Sequence, residues 1–245
     1  MTERLYSTDA YASEIAARVV DVDRAAGRVL LDRTVFYPGG GGQPCDEGEL
    51  RIGDDRLRVT ATASDSRGVW HVLEGGLPPN GTDVVAAVDW ARRLRIMRTH
   101  TAVHALCGVL WERYRSPVTG SDMGVGTGRL DIELPQWNPD DLPVLDAELN
   151  RRLRERRAVE VSFLPREEAD KDPSLIRTKV SLLPASLRTV RVVDIVGLDR
   201  QADGGTHVRN TSEVGSVRLV KAESKGKMFR RLRLALDDGV DATAG

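Results

Sequence analysis

The hydrophobic rhythm of the chain changes near Asp89, and that change limits what it can fold into. Before it, "EIAARVVDVD", "GRVLLDRTVFYP" and "LRVTATASDSRGVWHVLEG" carry branched apolar residues in partial alternation, punctuated by turn formers such as "PPNGTD". Short period-two segments with Gly and Pro breaks predict strands of a small barrel or closed antiparallel sheet. From Asp89 onward, "DWARRLRIMRTHTAVHALCGVLWERY" places Leu94, Met97, Val103, Leu106 and Leu110 near helical spacing. A run of small and turn-forming residues follows, then a short strand, "GRLDIEL". "NPDDLPVLDAELNRRLRERR" reads as a second helix, with acids early and arginines late as the helix dipole prefers. "LRTVRVVDIVG", "GSVRLVKAES" and "RRLRLAL" return to strand, and the tail "DDGVDATAG" reads as loose. The expected fold class is α+β. A small β-barrel-like domain covers residues 1–88, and an α+β domain with an antiparallel sheet covers 89–245.

Charge and composition exclude some roles. The chain has 245 residues, enough for a sizeable core, and a formal net charge of −1 with 30% charged residues. Nothing global directs it to nucleic acid, so any basic patch must be local. No apolar run approaches the roughly 18 residues of a membrane span, and the start, "MTERLYSTDAYASE", lacks the apolar core of a signal peptide. Two cysteines, Cys45 and Cys107, are too few for a disulfide framework. A cytoplasmic protein without a membrane partner is the expectation.

The chain has four histidines, and two of them, His100 and His104, stand four residues apart in the first helix. Residues so spaced share one helix face, with Cβ atoms about 5–6 Å apart, and can converge on one metal ion. A core or surface pair by chance has the same spacing, so further ligands must be found. "QADGGTHVRNTSEVG" supplies Asp203 and His207, again four apart, with adjacent glycines that permit a tight turn. Three imidazoles and a carboxylate form an acceptable set for zinc. Cys107 continues the helix face, but it lies seven residues and about 10.5 Å beyond His100, too far to share one ion easily. It reads as a small buried thiol, and His71, in "GVWHVLEG", reads as structural.

These segments, in this order, resemble the editing domain of alanyl-tRNA synthetase. "RTHTAVHAL" is similar to its HTAxH helix and "DGGTHVRNTSEVG" to its CGGTHVxNTxEIG signature. "VRLVKAESKGKMFRRLRLAL" resembles the strand, ExKG turn and RR strand that follow. "VTGSDMGVGTGRLDIEL" looks like the VTGxQI…RIDF segment, and "TVFYPGGGGQPCDEG" like the FYPxGGGQPxDxG loop. The resemblance spans about residues 30 to 236. With no aminoacylation or anticodon-reading domain, the chain is similar to the free-standing AlaX editing proteins that carry the glycine-rich loop.

The resemblance implies trans-editing: ATP-independent hydrolysis of the ester joining serine, or glycine, to alanine tRNA. Such correction has a physical reason, because one added hydroxyl or missing methyl is worth only about 1–3 kcal/mol in a synthetase pocket. A metal near the ester can polarise the carbonyl, hold the substrate's amino group or activate water. The implied ligands and catalytic residues are His100, His104, Asp203 and His207, holding one zinc ion. Asp203 departs from the family's cysteine. Carboxylate is harder than thiolate, so another divalent metal becomes possible. The resemblance also implies substrate contacts at Gly41, Gly42 and Gln43 of the glycine-rich loop, and at Thr119 and Ser121 of "VTGSDM", whose hydroxyls can bond that of serine. Arg218, Lys221, Lys225, Lys227, Arg230, Arg231 and Arg233 crowd a span with one acid, Glu223. From them Lys221, Lys225, Lys227, Arg230 and Arg231 are the expected tRNA-phosphate contacts. Two other readings remain open: a metal-dependent hydrolase of another aminoacyl ester, and a non-catalytic acceptor-stem binding protein with a structural metal. Monomer and homodimer are both open.

Overall fold

A computed structural model of the chain describes residues 2–134, 137–175, 187–226 and 228–237. The chain divides into two compact units, Met1–Ile96 and Met97–Gly245. The fold class is the α+β class expected, with a closed barrel and antiparallel sheets.

In the first unit the strands are β1 (Glu3–Arg4), β2 (Glu14–Asp23), β3 (Arg28–Leu31), β4 (Arg33–Thr34), β5 (Gly48–Ile52), β6 (Asp55–Ser64), β7 (Val69–Glu74) and β8 (Asp83–Val88). Six of them close into a barrel in the order β2-β3-β7-β6-β5-β8, with every neighbouring pair antiparallel. Closure leaves no open edge in the ring. Bulges between Val19 and Asp21 and between Val59 and Ala61 interrupt the two ten-residue strands, and bulges of this kind let long strands bend around a small barrel. The period-two pattern turns Val19, Val29, Leu31, Leu50, Val59, Val84 and Ala86 inward, where they fill the interior. Beside this core Arg93 is fully buried. It bonds both oxygens of Asp46 and the carbonyls of Ala10 and Val35. Asp46 also accepts the backbone N–H of Tyr37 at 2.6 Å, so the buried pair is saturated on both sides.

Helix α1 (Trp90–Tyr114) is followed by β9 (Val118–Met123), β10 (Thr127–Glu133), α2 (Asp141–Arg154), β11 (Val159–Pro165), α3 (Arg166–Ala169), β12 (Thr189–Ile195), β13 (Asp199–Ala202), β14 (Val217–Ser224) and β15 (Phe229–Leu236). In the second unit one antiparallel sheet has the order β14-β15-β10-β9 and another the order β11-β12-β13. Residues 99–110 of α1 are buried without interruption, so the helix is enclosed on all sides there. Its one glycine explains how closely it is approached. A Cβ on Gly108 would lie 2.6 Å from the carbonyl oxygen of Leu198, at the turn between β12 and β13.

"VTGSDM" differs from the sequence reading. It is a strand, not part of a turn-forming run, because the register Leu130↔Ser121 and Gly128↔Met123 gives it a ladder on β10 that its own composition does not announce. No helix among the described residues is long and apolar enough to cross a membrane.

Candidate metal centre

Helix α1 presents His100 and His104 from successive turns, and the segment after β13 presents Asp203 and His207. One donor atom from each of the four lies within 4.8 Å of every other. Asp203 Oδ1 is 3.6 Å from His100 Nε2, and Asp203 Oδ2 is 3.2 Å from His207 Nε2. The rings of His100 and His207 stack at 4.2 Å between centroids, and His104 stands edge-on to both. Bonds of about 2.1 Å around a tetrahedral ion put donors about 3.4 Å apart, so a contraction of at most about 1.4 Å at the widest pair closes the set. The cluster can hold a metal ion, and its donor chemistry fits one.

The hydrogen bonds behind the rings aim them. His104 Nδ1 lies 3.1 Å from Asp199 Oδ2, and a carboxylate accepts. Nδ1 of the neutral ring therefore carries the proton, and the lone pair of Nε2 faces the cluster. His207 Nδ1 lies 3.2 Å from Thr101 Oγ1, and its Nε2 is on the cluster side, 3.2 Å from Asp203 Oδ2. Thr101 Oγ1 also accepts the Val208 N–H at 3.3 Å, tying α1 to the backbone beside His207. Gln201 Nε2 donates to Asp199 Oδ2 at 2.6 Å, and the Gly205 N–H donates to Asp203 Oδ2 at 2.6 Å. Arg191 Nη1 donates to the Asp203 carbonyl at 2.9 Å and lies 3.8 Å from Asp203 Oδ2.

Electrostatics sort the four groups. Burial holds His100 well below the ordinary histidine range, with His207, His104 and Arg191 adding to it against the pull of Asp203. Burial likewise pushes His207 down to about 4, against its bond to Asp203. Burial also opposes the charged form of His104, but the hydrogen bond and charge of Asp199 outweigh it and raise that ring. For Asp203 burial favours the neutral acid, yet the attraction of His100 and the bond to His207 hold it well below the usual carboxylate range. Two neutral imidazoles and an ionised carboxylate are the forms that bind a cation.

Other residues singled out from the sequence lie as follows. His71 is buried in the barrel, 2.8 Å from Thr34 Oγ1 and edge-on to Phe36. Cys107 is buried on α1 outside the cluster. The glycine loop belongs to the first unit. Gly39, Gly40, Gly41 and Gly42 all have positive φ, at 84°, 121°, 60° and 87°, a region that disfavours any side chain. Gly40 and Gln43 exchange backbone hydrogen bonds of 3.0 Å, and Gln43 is buried while Gly41 is exposed. Thr119 and Ser121 are exposed on β9, the edge strand of its sheet.

The basic strip is more neutralised than the sequence suggests. Arg231 is held through Nε and Nη2 by the two oxygens of Asp131, at 2.7 Å each, and Glu223 pairs with both Lys221 and Arg233. Arg230 bonds to neutral oxygens of Ser224, Gly226 and Phe229. Lys225 is exposed, and Lys227 lies outside the described residues. Sequence reasoning missed Thr101, Arg191, Asp199 and Gln201. The only local signal was the alternation of polar residues Asp199, Gln201 and Asp203 ahead of the two glycines.

A histidine pair on a helix faces a carboxylate–histidine pair from a loop after β13, and the segment that carries the second pair matches a domain of the tRNA synthetases. Residues 190–233 match the family described as "Threonyl and Alanyl tRNA synthetase second additional domain", and residues 9–92 match "tRNA synthetases class II (A)". Alanyl-tRNA editing protein AlaX-M of Saccharolobus solfataricus is 36% identical over 236 residues, covering 95% of this chain and 98% of its own. AlaX-M of Methanosarcina barkeri is 34% identical over 244 residues, covering 97% and 100%. Alanyl-tRNA editing protein AlaX-L of Pyrococcus horikoshii is 33% identical over 237 residues, covering 95% of this chain and 57% of its own. The chain belongs to the alanyl-tRNA editing protein family, AlaX.

Proposed function

We propose that the protein is a trans-editing deacylase that hydrolyses the ester of mischarged alanine tRNA, with seryl-tRNA the leading substrate and glycyl-tRNA a second. The observation that carries this reading is the convergence of His100, His104, Asp203 and His207 in a member of this family. In it, His100, His104 and His207 would hold one zinc ion, with Asp203 as the fourth donor. The ion would supply Lewis-acid polarisation of the ester carbonyl or of water. The protein's own groups set the site up. Asp199 and Thr101 fix the orientation of two imidazoles, and the Gly205 N–H and Arg191 hold Asp203 in place.

Substrate contact at the glycine loop would come through the backbone of Gly41 and Gly42, with buried Gln43 fixing the loop's shape. Thr119 and Ser121 remain the proposed partners of the serine hydroxyl. Their exposure means that strong rejection of alanine requires the bound tRNA to shield them, because only a desolvated partner is penalised when left unpaired. Phosphate contact would fall first to Lys225 and Arg230, then to Lys227, with Lys221 and Arg231 engaged through their carboxylate partners. Aminoacyl-tRNA as substrate carries a cytoplasmic location with it.

The test is release of labelled serine and labelled alanine from the same alanine tRNA at equal protein concentration. Faster serine release is expected. Equal rates would point to a general aminoacyl esterase, and release of neither by metal-replete protein would point to a non-catalytic acceptor-stem binder.

A further inference from the structure

Strand β11 is an edge of the β11-β12-β13 sheet, and none of its seven residues is buried. Cross-strand partners share a face. On one face Leu164, Val190, Val192 and Ala202 pack with Ala169 of α3 and with Leu175, and are covered. On the other face Phe163 stands opposite Arg191, and Val161 opposite buried Val193. Arg191 in turn reaches Asp203, through the carbonyl at 2.9 Å and the carboxylate at 3.8 Å. Phe163, Arg191 and Asp203 therefore form one row across three adjacent strand positions, with the donor cluster at its inner end. At the outer end Phe163 is 46% exposed and Val161 39% exposed. An exposed aromatic on a sheet edge is a liability that chains ordinarily blunt with charge. The row places it two strand spacings, about 10 Å, from the backbone of Asp203.

We propose that Phe163 is the stacking platform for the terminal nucleobase of the aminoacyl-tRNA. This rests on the editing reading above and adds a base-binding position to it. An ester held at the donor cluster sits on the terminal ribose, and the base of that nucleoside lies one sugar ring away, a distance within the length of the row. Arg191 lies between them, covered and facing Asp203 with 9% of its side chain exposed, so the ring of Phe163 is the exposed surface that the row offers to the base. Stacking on a phenyl ring is tolerant of base identity, because every base has a π-face. The contact therefore strengthens binding of the tRNA end without reading its sequence.

The experiment compares wild type with Phe163→Ala and Phe163→Trp in the full metal-replete chain, on three substrates. These are seryl-tRNA for alanine, 3′-O-seryladenosine, and the seryl ester of 1-O-methylribose, which has no base. Phe163→Ala is expected to raise KM about tenfold on the first two at unchanged kcat, as loss of uniform binding does. It should leave the base-free ester unaffected, and Phe163→Trp should restore KM. Bound metal should stay the same in all three proteins. An unchanged KM on the base-bearing substrates, or an equal loss on the base-free ester, overturns the platform and leaves the editing reading intact. Failure of wild type to hydrolyse seryl-tRNA overturns the editing reading and the platform with it.

Discussion

His71 in the barrel and the three histidines of the second unit are all buried, yet they have different surroundings. His71 faces one hydroxyl, Thr34 Oγ1, and the edge of Phe36. His100, His104 and His207 face one another with Asp203 among them, and Asp199 stands behind His104. Burial lowers His71 to about 4 and lowers His100 and His207 as well, so depressed basicity alone does not separate a core histidine from a ligand. What separates them is the presence of a carboxylate and the convergence of donor atoms. The barrel histidine has neither.

The largest effect that tests this contrast is removal of a donor. His104→Ala is expected to weaken metal binding by more than about 100-fold, beyond the range seen when an outer partner is lost, and to abolish deacylation. His71→Gln should keep metal content and deacylation, both measured on purified protein under the same dialysis. Metal loss in His71→Gln would erase the distinction.

Next in size is the pH response of the barrel histidine. Its folded value of about 4 lies below the unfolded 6.5, so below pH 6.5 the unfolded chain binds a proton that the folded chain refuses. The stability it contributes is present above pH 6.5 and is lost as pH falls toward 4, reaching roughly 3 kcal/mol. Denaturant unfolding between pH 7.5 and 4, with His71→Gln as reference, reads this directly. Equal pH slopes in the two proteins would mean His71 charges freely inside the barrel.

Asp199→Asn comes third. It keeps the shape behind His104 but removes the charge that raises that ring. Metal affinity should fall about 10- to 100-fold, and calorimetric titration checks it. Because His104 becomes easier to deprotonate, affinity should also reach its plateau at a lower pH than in wild type. The smallest change is Asp203→Cys, which should retain or modestly tighten zinc binding because thiolate is the softer donor. A clearly weaker variant would make Asp203 an orienting group for His207 in place of a ligand.

The partial alternation of β2, β3, β6 and β7 made the barrel legible, since a closed antiparallel sheet needs only period-two patterning and turns. The donor quartet was legible for a different reason. Each half of it is a local i, i+4 pair, so only the meeting of the two halves had to be inferred. The supporting residues were hidden because their partners are remote. His104 and Asp199 are 95 residues apart, and Thr101 and His207 are 106 apart. The strand character of "VTGSDM" came from β10, and the basic strip looked barer than it is because Asp131 sits on that same remote strand. Local reading recovers patterns and misses whatever a long-range contact supplies.

The donor set also has a consequence for oxidative chemistry. Imidazole nitrogens and carboxylate oxygens have no place on the ladder that carries a thiolate to sulfenic, sulfinic and sulfonic acid. A centre with cysteine where Asp203 stands would lose its fourth donor to peroxide, and the metal with it. Here the one thiol on α1, Cys107, is buried and outside the cluster, and the thioether of Met97 on the same helix is buried as well. Peroxide that oxidises a thiolate donor therefore finds no thiolate to attack among these four groups.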